Sequence, residues 1–73
     1  MSKLPIISGK KAIKVFVKTG YQIVSQRGSH VRLHCSNKEP LTIPDHKILG
    51  KGFLRKLLRD SEISLKEFLK LLK

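Results

Sequence analysis

The sequence predicts an α+β domain of order α-β-β-β-α-α, a three-stranded antiparallel sheet with its helices packed on one face. Three observations predict it. Apolar residues keep helical spacing up to Gly20, alternate strictly from Ser29 to Ser36, and return to helical spacing from Phe53 onward. The chain of 73 residues makes one domain spanning 1–73. A chain this short buries only about 60% of its unfolded surface, so the core needs every apolar stripe.

Ser8 opens the first helix as an N-cap, and Gly20 closes it at C′ in the left-handed region. Between them Ala12, Ile13, Phe16 and Val17 form one apolar stripe, with Lys10, Lys11, Lys14 and Lys18 on the other side. A lysine face is ordinarily just solvated; with no acid beside it, this one also suits phosphate. Tyr21 to Gln26 is β-prone, and Arg27-Gly28 reads as a turn. From Ser29 to Ser36, Val31, Leu33 and Cys35 point one way while His30, Arg32 and His34 point the other. Asn37-Lys38-Glu39-Pro40 supplies the next turn. Leu41-Thr42-Ile43 is a short third strand stopped by Pro44, which has no N–H to give a ladder. Strands joined by such tight turns make an antiparallel meander.

The remainder is helical. Phe53, Leu54, Leu57 and Leu58 form a stripe with Arg55, Lys56 and Arg59 outside it. Ser64 with Glu67 three residues on is a capping box for a last helix that turns Leu65, Phe68, Leu69 and Leu72 inward. That helix is basic and amphipathic, as a membrane-surface segment would be, but a core this small needs its leucines. Helices covering one face of the sheet take Val31, Leu33 and Cys35 into the core. Alternation then forces His30, Arg32 and His34 onto the open face.

Charge narrows the partners. Sixteen Lys and Arg against five Asp and Glu give a formal net charge of +11 and a pI near 10.3. Such a field attracts polyanions, so a nucleic acid or an acidic protein is expected. Lysine-rich surfaces that only confer solubility usually balance Lys with Glu, and here the acids are missing. The single cysteine, Cys35, forms no internal disulfide, which fits a reducing compartment. Three His and one Cys lack the paired spacing of a zinc site, so no metal and no cofactor are expected. No apolar run approaches the ~20 residues of a membrane span, and no signal-peptide core follows the N-terminus. The expectation is a cytoplasmic protein with no membrane association.

A histidine on a cationic sheet face has a chemistry available to it. RNA breaks when its 2′-hydroxyl is deprotonated and the adjoining phosphate is neutralised. That requires a group titrating near neutrality, and histidine's ordinary pKa of ~6.5 is the natural choice. A positioned general acid or base contributes ~10²–10⁴-fold, and preorganised positive charge usually contributes more. His30 is the candidate, with Arg27 and Arg32 as phosphate contacts and the amides at Gly28 and Ser29 open to an anion. A surface histidine is nonetheless more often inert. His34, on the same face, is a second acid or base, a substrate contact, or neither. His46 lies just ahead of the second helix, where it would cap or orient that turn. Cys35 points inward and reads as a small buried hydrophobe rather than a nucleophile.

These residues resemble a known family. Gly20-Tyr21, Gln26-Arg27-Gly28-Ser29-His30, Thr42-Ile43-Pro44-Asp45-His46, Gly52-Phe53-Leu54-Arg55-Lys56-Leu57-Leu58, and Ile63-Ser64 with Glu67-Phe68 are similar, in order, to the HicA toxins of HicA–HicB toxin–antitoxin pairs, the YcfA-like mRNA interferases. The resemblance implies a fold like that of double-stranded-RNA-binding domains and metal-independent cleavage of mRNA. It assigns the catalytic histidine of the Gly-Ser-His element to His30, and it implies a HicB-like antitoxin covering that face. Three positions depart from the family's usual pattern: Ser25 stands where a basic residue is common, Phe53 where Thr is, and Glu62 where Gly is. The first would weaken a phosphate contact; the others concern helix ends and packing.

The leading expectation is an endoribonuclease in which His30 moves a proton, Arg27, Gly28, Ser29, Arg32, Lys10 and Lys14 bind the RNA, and His34 assists. The alternative is a non-catalytic module that reads duplex RNA by shape, which would need the basic surface but have no use for His30. A domain that only docks an acidic protein is a third reading, and it fits best as one half of a toxin–antitoxin pair.

Overall fold

The computed structural model describes residues 4–72. Its elements run α1 (Gly9–Lys18), β1 (Gln22–Arg27), β2 (His30–His34), β3 (Leu41–Pro44), α2 (Lys51–Ser61) and α3 (Leu65–Leu72). The sheet is antiparallel in the order β1-β2-β3. This is the α+β order the sequence predicts.

Local chemistry explains the boundaries of α1. The Ser8 hydroxyl accepts from the Lys11 amide at 3.2 Å, filling one of the donors a helix start leaves unpaired. At the other end Gly20 takes φ +117, and its amide donates to the Val17 carbonyl while the Tyr21 amide donates to Phe16. This is a Schellman closure, and the Phe16 and Tyr21 rings supply its apolar contact, edge-on at 6.0 Å. The buried arc of α1 holds Ala12, Ile13, Val15 and Phe16, whereas Val17, expected inward, is 42% exposed. At about 100° per residue the arc centred between Ala12 and Phe16 reaches back to Val15 but not forward to Val17.

β2 alternates as expected: Val31 and Leu33 are buried, and His30, Arg32 and His34 are exposed. Cys35 lies just past the strand and is only partly buried against the core. The first turn is Gly28-Ser29 rather than Arg27-Gly28, because Arg27 stays in the ladder opposite His30. Gly28 carries the positive φ of +56 at the first turn position and Ser29 does not, the pattern of a II′ hairpin. β1 is exposed at all six positions, Ile23 and Val24 included, and a bulge interrupts its register between Ile23 and Ser25. Such a bulge blunts an open strand edge.

α2 has Gly50 as N-cap with no side-chain bond, so His46, four residues earlier, does not cap it. The His46 carbonyl instead accepts from the Gly9 amide at 2.8 Å, and the Ile7 carbonyl accepts from Leu49, tying the approach to α1 to the approach to α2. α2 buries Leu54, Leu57 and Leu58, while Phe53 stays 36% exposed at its first turn. It ends on Glu62 at φ +60, with Ile63 donating back to Leu58. The Ser64 hydroxyl caps α3 by accepting from the Glu67 amide at 3.1 Å. Phe68, fully buried, meets Phe16 at 5.5 Å and closes the core under the sheet.

Candidate functional site

The site grows from the β1–β2 hairpin. Its II′ turn ends on His30, the first residue of β2, and Gln26 steadies the turn by donating from Nε2 to the Gly28 carbonyl at 3.0 Å. On the other side His30 is the register partner of Pro44, and the Asp45 amide donates to the Ser29 carbonyl. The backbone at His30 is thus pinned from both neighbours while its ring stays in solvent.

Register partners share a face of a sheet. The open face therefore carries Arg27 beside His30, Ser25 beside Arg32, and Thr42 on the far side of Arg32. Ser25, Arg27, His30, Arg32 and Thr42 line a shallow concavity of about 230 Å³. Among the described residues it holds two guanidinium groups and no carboxylate. Farther along β2 the Arg32 Nε donates to His34 Nε2 at 3.5 Å, a long bond that draws His34 toward the same cation. Gly28 is exposed, and a Cβ there would meet nothing within 4 Å, so the turn's backbone is open to an approaching group.

His30 also lines a second hollow. A cleft of about 310 Å³ runs between β3 and α2, walled by Pro40, Leu41, Thr42 and Pro44 on one side and Phe53, Lys56, Leu57 and Asp60 on the other. The α2 residues fall at i, i+3, i+4 and i+7, one stripe of a helix. Asp60 pairs only loosely with the exposed Arg59, at 3.9 Å. His30 stands where the two hollows meet, and among the described residues it is the one titratable side chain that lines both.

The lysines of α1 lie elsewhere. α1 packs its apolar arc against the core, and none of its lysines lines either hollow. Lys10 borders a separate depression with Ser8, Asp45, His46 and Lys47, and the Lys18 ammonium donates to the Leu71 carbonyl at 3.2 Å. Lys14 is exposed and lines neither of the two hollows. The structure brings Arg27, Ser25, Arg32 and Thr42 around His30 and leaves Lys10 and Lys14 apart. Phe53, Lys56 and Asp60 are the neighbours that sequence reasoning does not assign to the site. An aromatic at the head of α2 is the one signal the chain gives of them, and its place in the core stripe hides it. Among the described residues no group of three or more His, Cys, Asp or Glu is placed to hold a metal ion, and no helix is long and apolar enough to cross a membrane.

A small, basic α+β domain presenting one histidine between a cationic concavity and a cleft that holds a partly exposed aromatic ring is the class that fold and site define. The chain belongs to the HicA toxin family of bacterial toxin–antitoxin systems, whose family model matches residues 9–63. It is accordingly the toxin of such a system, with a cognate antitoxin as partner. No curated protein and no solved structure matches the chain. The matched span begins at the first residue of α1 and ends just before α3, so it contains both hollows.

Proposed function

We propose that this toxin is a metal-independent endoribonuclease that cuts mRNA, with His30 as its catalytic acid or base. The observation that carries the reading is the position of His30: exposed, fixed in backbone, and beside Arg27 and Arg32 in a hollow without an acid. In the reaction the 2′-oxygen attacks the adjoining phosphorus and gives up its proton. The bond from phosphorus to the 5′-oxygen breaks, and that oxygen takes up a proton, leaving a 2′,3′-cyclic phosphate and a 5′-hydroxyl. His30 carries one of these two proton transfers. Arg27 and Arg32 hold the phosphate and offset the charge that grows on its free oxygens, where preorganised cations act most strongly. His34, drawn toward Arg32, assists from the same face.

The antitoxin silences the enzyme by covering the β2 face, and its acidic groups meet the +11 charge, which gives fast, salt-sensitive association. The complex and its substrate belong to the cytoplasm. The decisive measurement is RNA cleavage in EDTA by wild type and His30→Ala, alongside toxicity on induction of each. Wild type should cut and arrest growth, and the variant should lose at least ~10²-fold in rate. Equal cutting by both would remove His30 from the mechanism. RNA bound tightly but left whole by wild type would favour the non-catalytic duplex reader.

A further inference from the structure

The two hollows that meet at His30 differ in chemistry. The open-face concavity has Arg27 and Arg32, hydroxyls from Ser25 and Thr42, and no carboxylate. The β3–α2 cleft combines the apolar Pro40, Pro44 and Phe53 with the polar Thr42, Lys56 and Asp60. In a chain with only five acids, one of them lines this cleft. A phosphate pushed toward Asp60 would meet a like charge, while a flat, uncharged ring would not. Phe53 lines this cleft with 36% of its surface left in water, an aromatic face on which a flat ring can stack.

From this division we infer that the β3–α2 cleft seats one unpaired nucleobase of the RNA, stacked on Phe53, while the phosphate joined to the same ribose occupies the Arg27–Arg32 concavity. The ribose then lies at the junction, beside His30. This deepens the ribonuclease reading and rests on RNA being the ligand. It adds a substrate class: the cleft accepts a base only after it has left its helix, so the toxin takes single-stranded RNA. Phe53 is a binding residue that governs recognition of the base, and Lys56 reaches the sugar–phosphate next to it.

The test uses the full chain and a short single-stranded oligonucleotide with 2′-deoxy sugars, which 2′-hydroxyl attack cannot cut. An abasic position is moved along it, and binding is measured for wild type, Phe53→Leu, Phe53→Trp and Arg27→Gln, with urea midpoints confirming the fold. At one position, loss of the base should weaken wild-type binding roughly tenfold or more, the scale of one base–aromatic stack. Phe53→Leu should erase that difference and leave the salt dependence intact, and Phe53→Trp should restore it. Arg27→Gln should do the reverse, lowering the salt dependence and keeping the base effect. An abasic scan that is flat for wild type, or unchanged by Phe53→Leu, overturns the inference. So does a Phe53→Leu variant that binds RNA normally but loses the antitoxin, which would assign the cleft to the protein partner. Cleavage by His30→Ala bears on the catalytic reading alone, so the two can fail separately.

Discussion

Gly9 and the carbonyl of Pro44 lie so close that no side chain fits between them: a Cβ on Gly9 would collide with that oxygen and come within 3.1 Å of the Asp45 Cα. The contact joins the first residue of α1 to the strand end that pairs with His30. In most helices Gly→Ala is favourable, by up to ~1 kcal/mol. Here the sign reverses. Gly9→Ala should destabilise by about 1–3 kcal/mol, as overpacking does, lowering Tm by roughly 5–20 °C in a domain of this size. Thermal unfolding reads the loss, and the ring resonances of His30 should shift because Pro44 is displaced.

Glu62 is expected to behave in the opposite way. It holds φ +60 at the end of α2, a left-handed conformation that costs a side chain about 1–2 kcal/mol and glycine almost nothing. Its carboxylate also sits at the negative end of the helix dipole. Glu62→Gly should therefore stabilise by about 1 kcal/mol, seen as a higher urea midpoint with an unchanged m-value.

Tyr21 gives the fold an alkaline limit. It is 1% exposed, and its hydroxyl donates to the Glu39 carbonyl at 2.8 Å. Burial above all, and then the neighbouring Cys35, Asp60, Glu39 and Glu62, pushes its phenol above the ordinary 10.0. The unfolded chain therefore loses this proton first as pH rises. The stabilisation is whole below about pH 10 and is lost as pH climbs through the folded value. Tyr21→Phe should cost about 1 kcal/mol at neutral pH for the lost hydrogen bond. The gap between the two urea midpoints should narrow above about pH 10; a gap that stays constant would contradict the assignment.

Arg27 and Arg32 should act through phosphate. Replacing either with Gln should weaken RNA binding whatever the sequence, and should reduce the slope of log K against log salt by about 0.7–1. The same change at Lys14, which lines neither hollow, should alter the slope less. Equal slopes for all three variants would spread the phosphate contacts around the molecule.

What the sequence could and could not disclose follows from the range of each interaction. The caps at Ser8 and Ser64, the Gly20 closure and the Val31–Leu33 alternation act within a few residues, so they are visible in the chain itself. Val15 and Val17 exchange places because an apolar arc is set by what the helix packs on, and two neighbouring valines look alike until that surface is known. Turn position fails by one residue at Arg27 for a similar reason: Gly28 marks the turn, but pairing with His30 decides which side of it Arg27 joins. Gly9 gives no hint at all, since the carbonyl that excludes a side chain there is thirty-five positions away in sequence (Gly9 to Pro44). His30 is legible because alternation alone turns it outward. Its neighbours Phe53, Lys56 and Asp60 are not, because only the docking of α2 along β3 brings them near it.

The bareness of β1 has a dynamic consequence. With all six residues in solvent and a single ladder holding it, β1 rests on hydrogen bonds to β2 and contributes no side chain to the interior. Strands of that kind fray at a free energy well below that of global unfolding, and their amides exchange first. When β1 peels away it takes Ser25 and Arg27 with it, while His30 and Arg32 remain on a strand anchored by Val31 and Leu33. Fraying thus opens the Arg27 side of the concavity and leaves the backbone at His30 held by β3 alone.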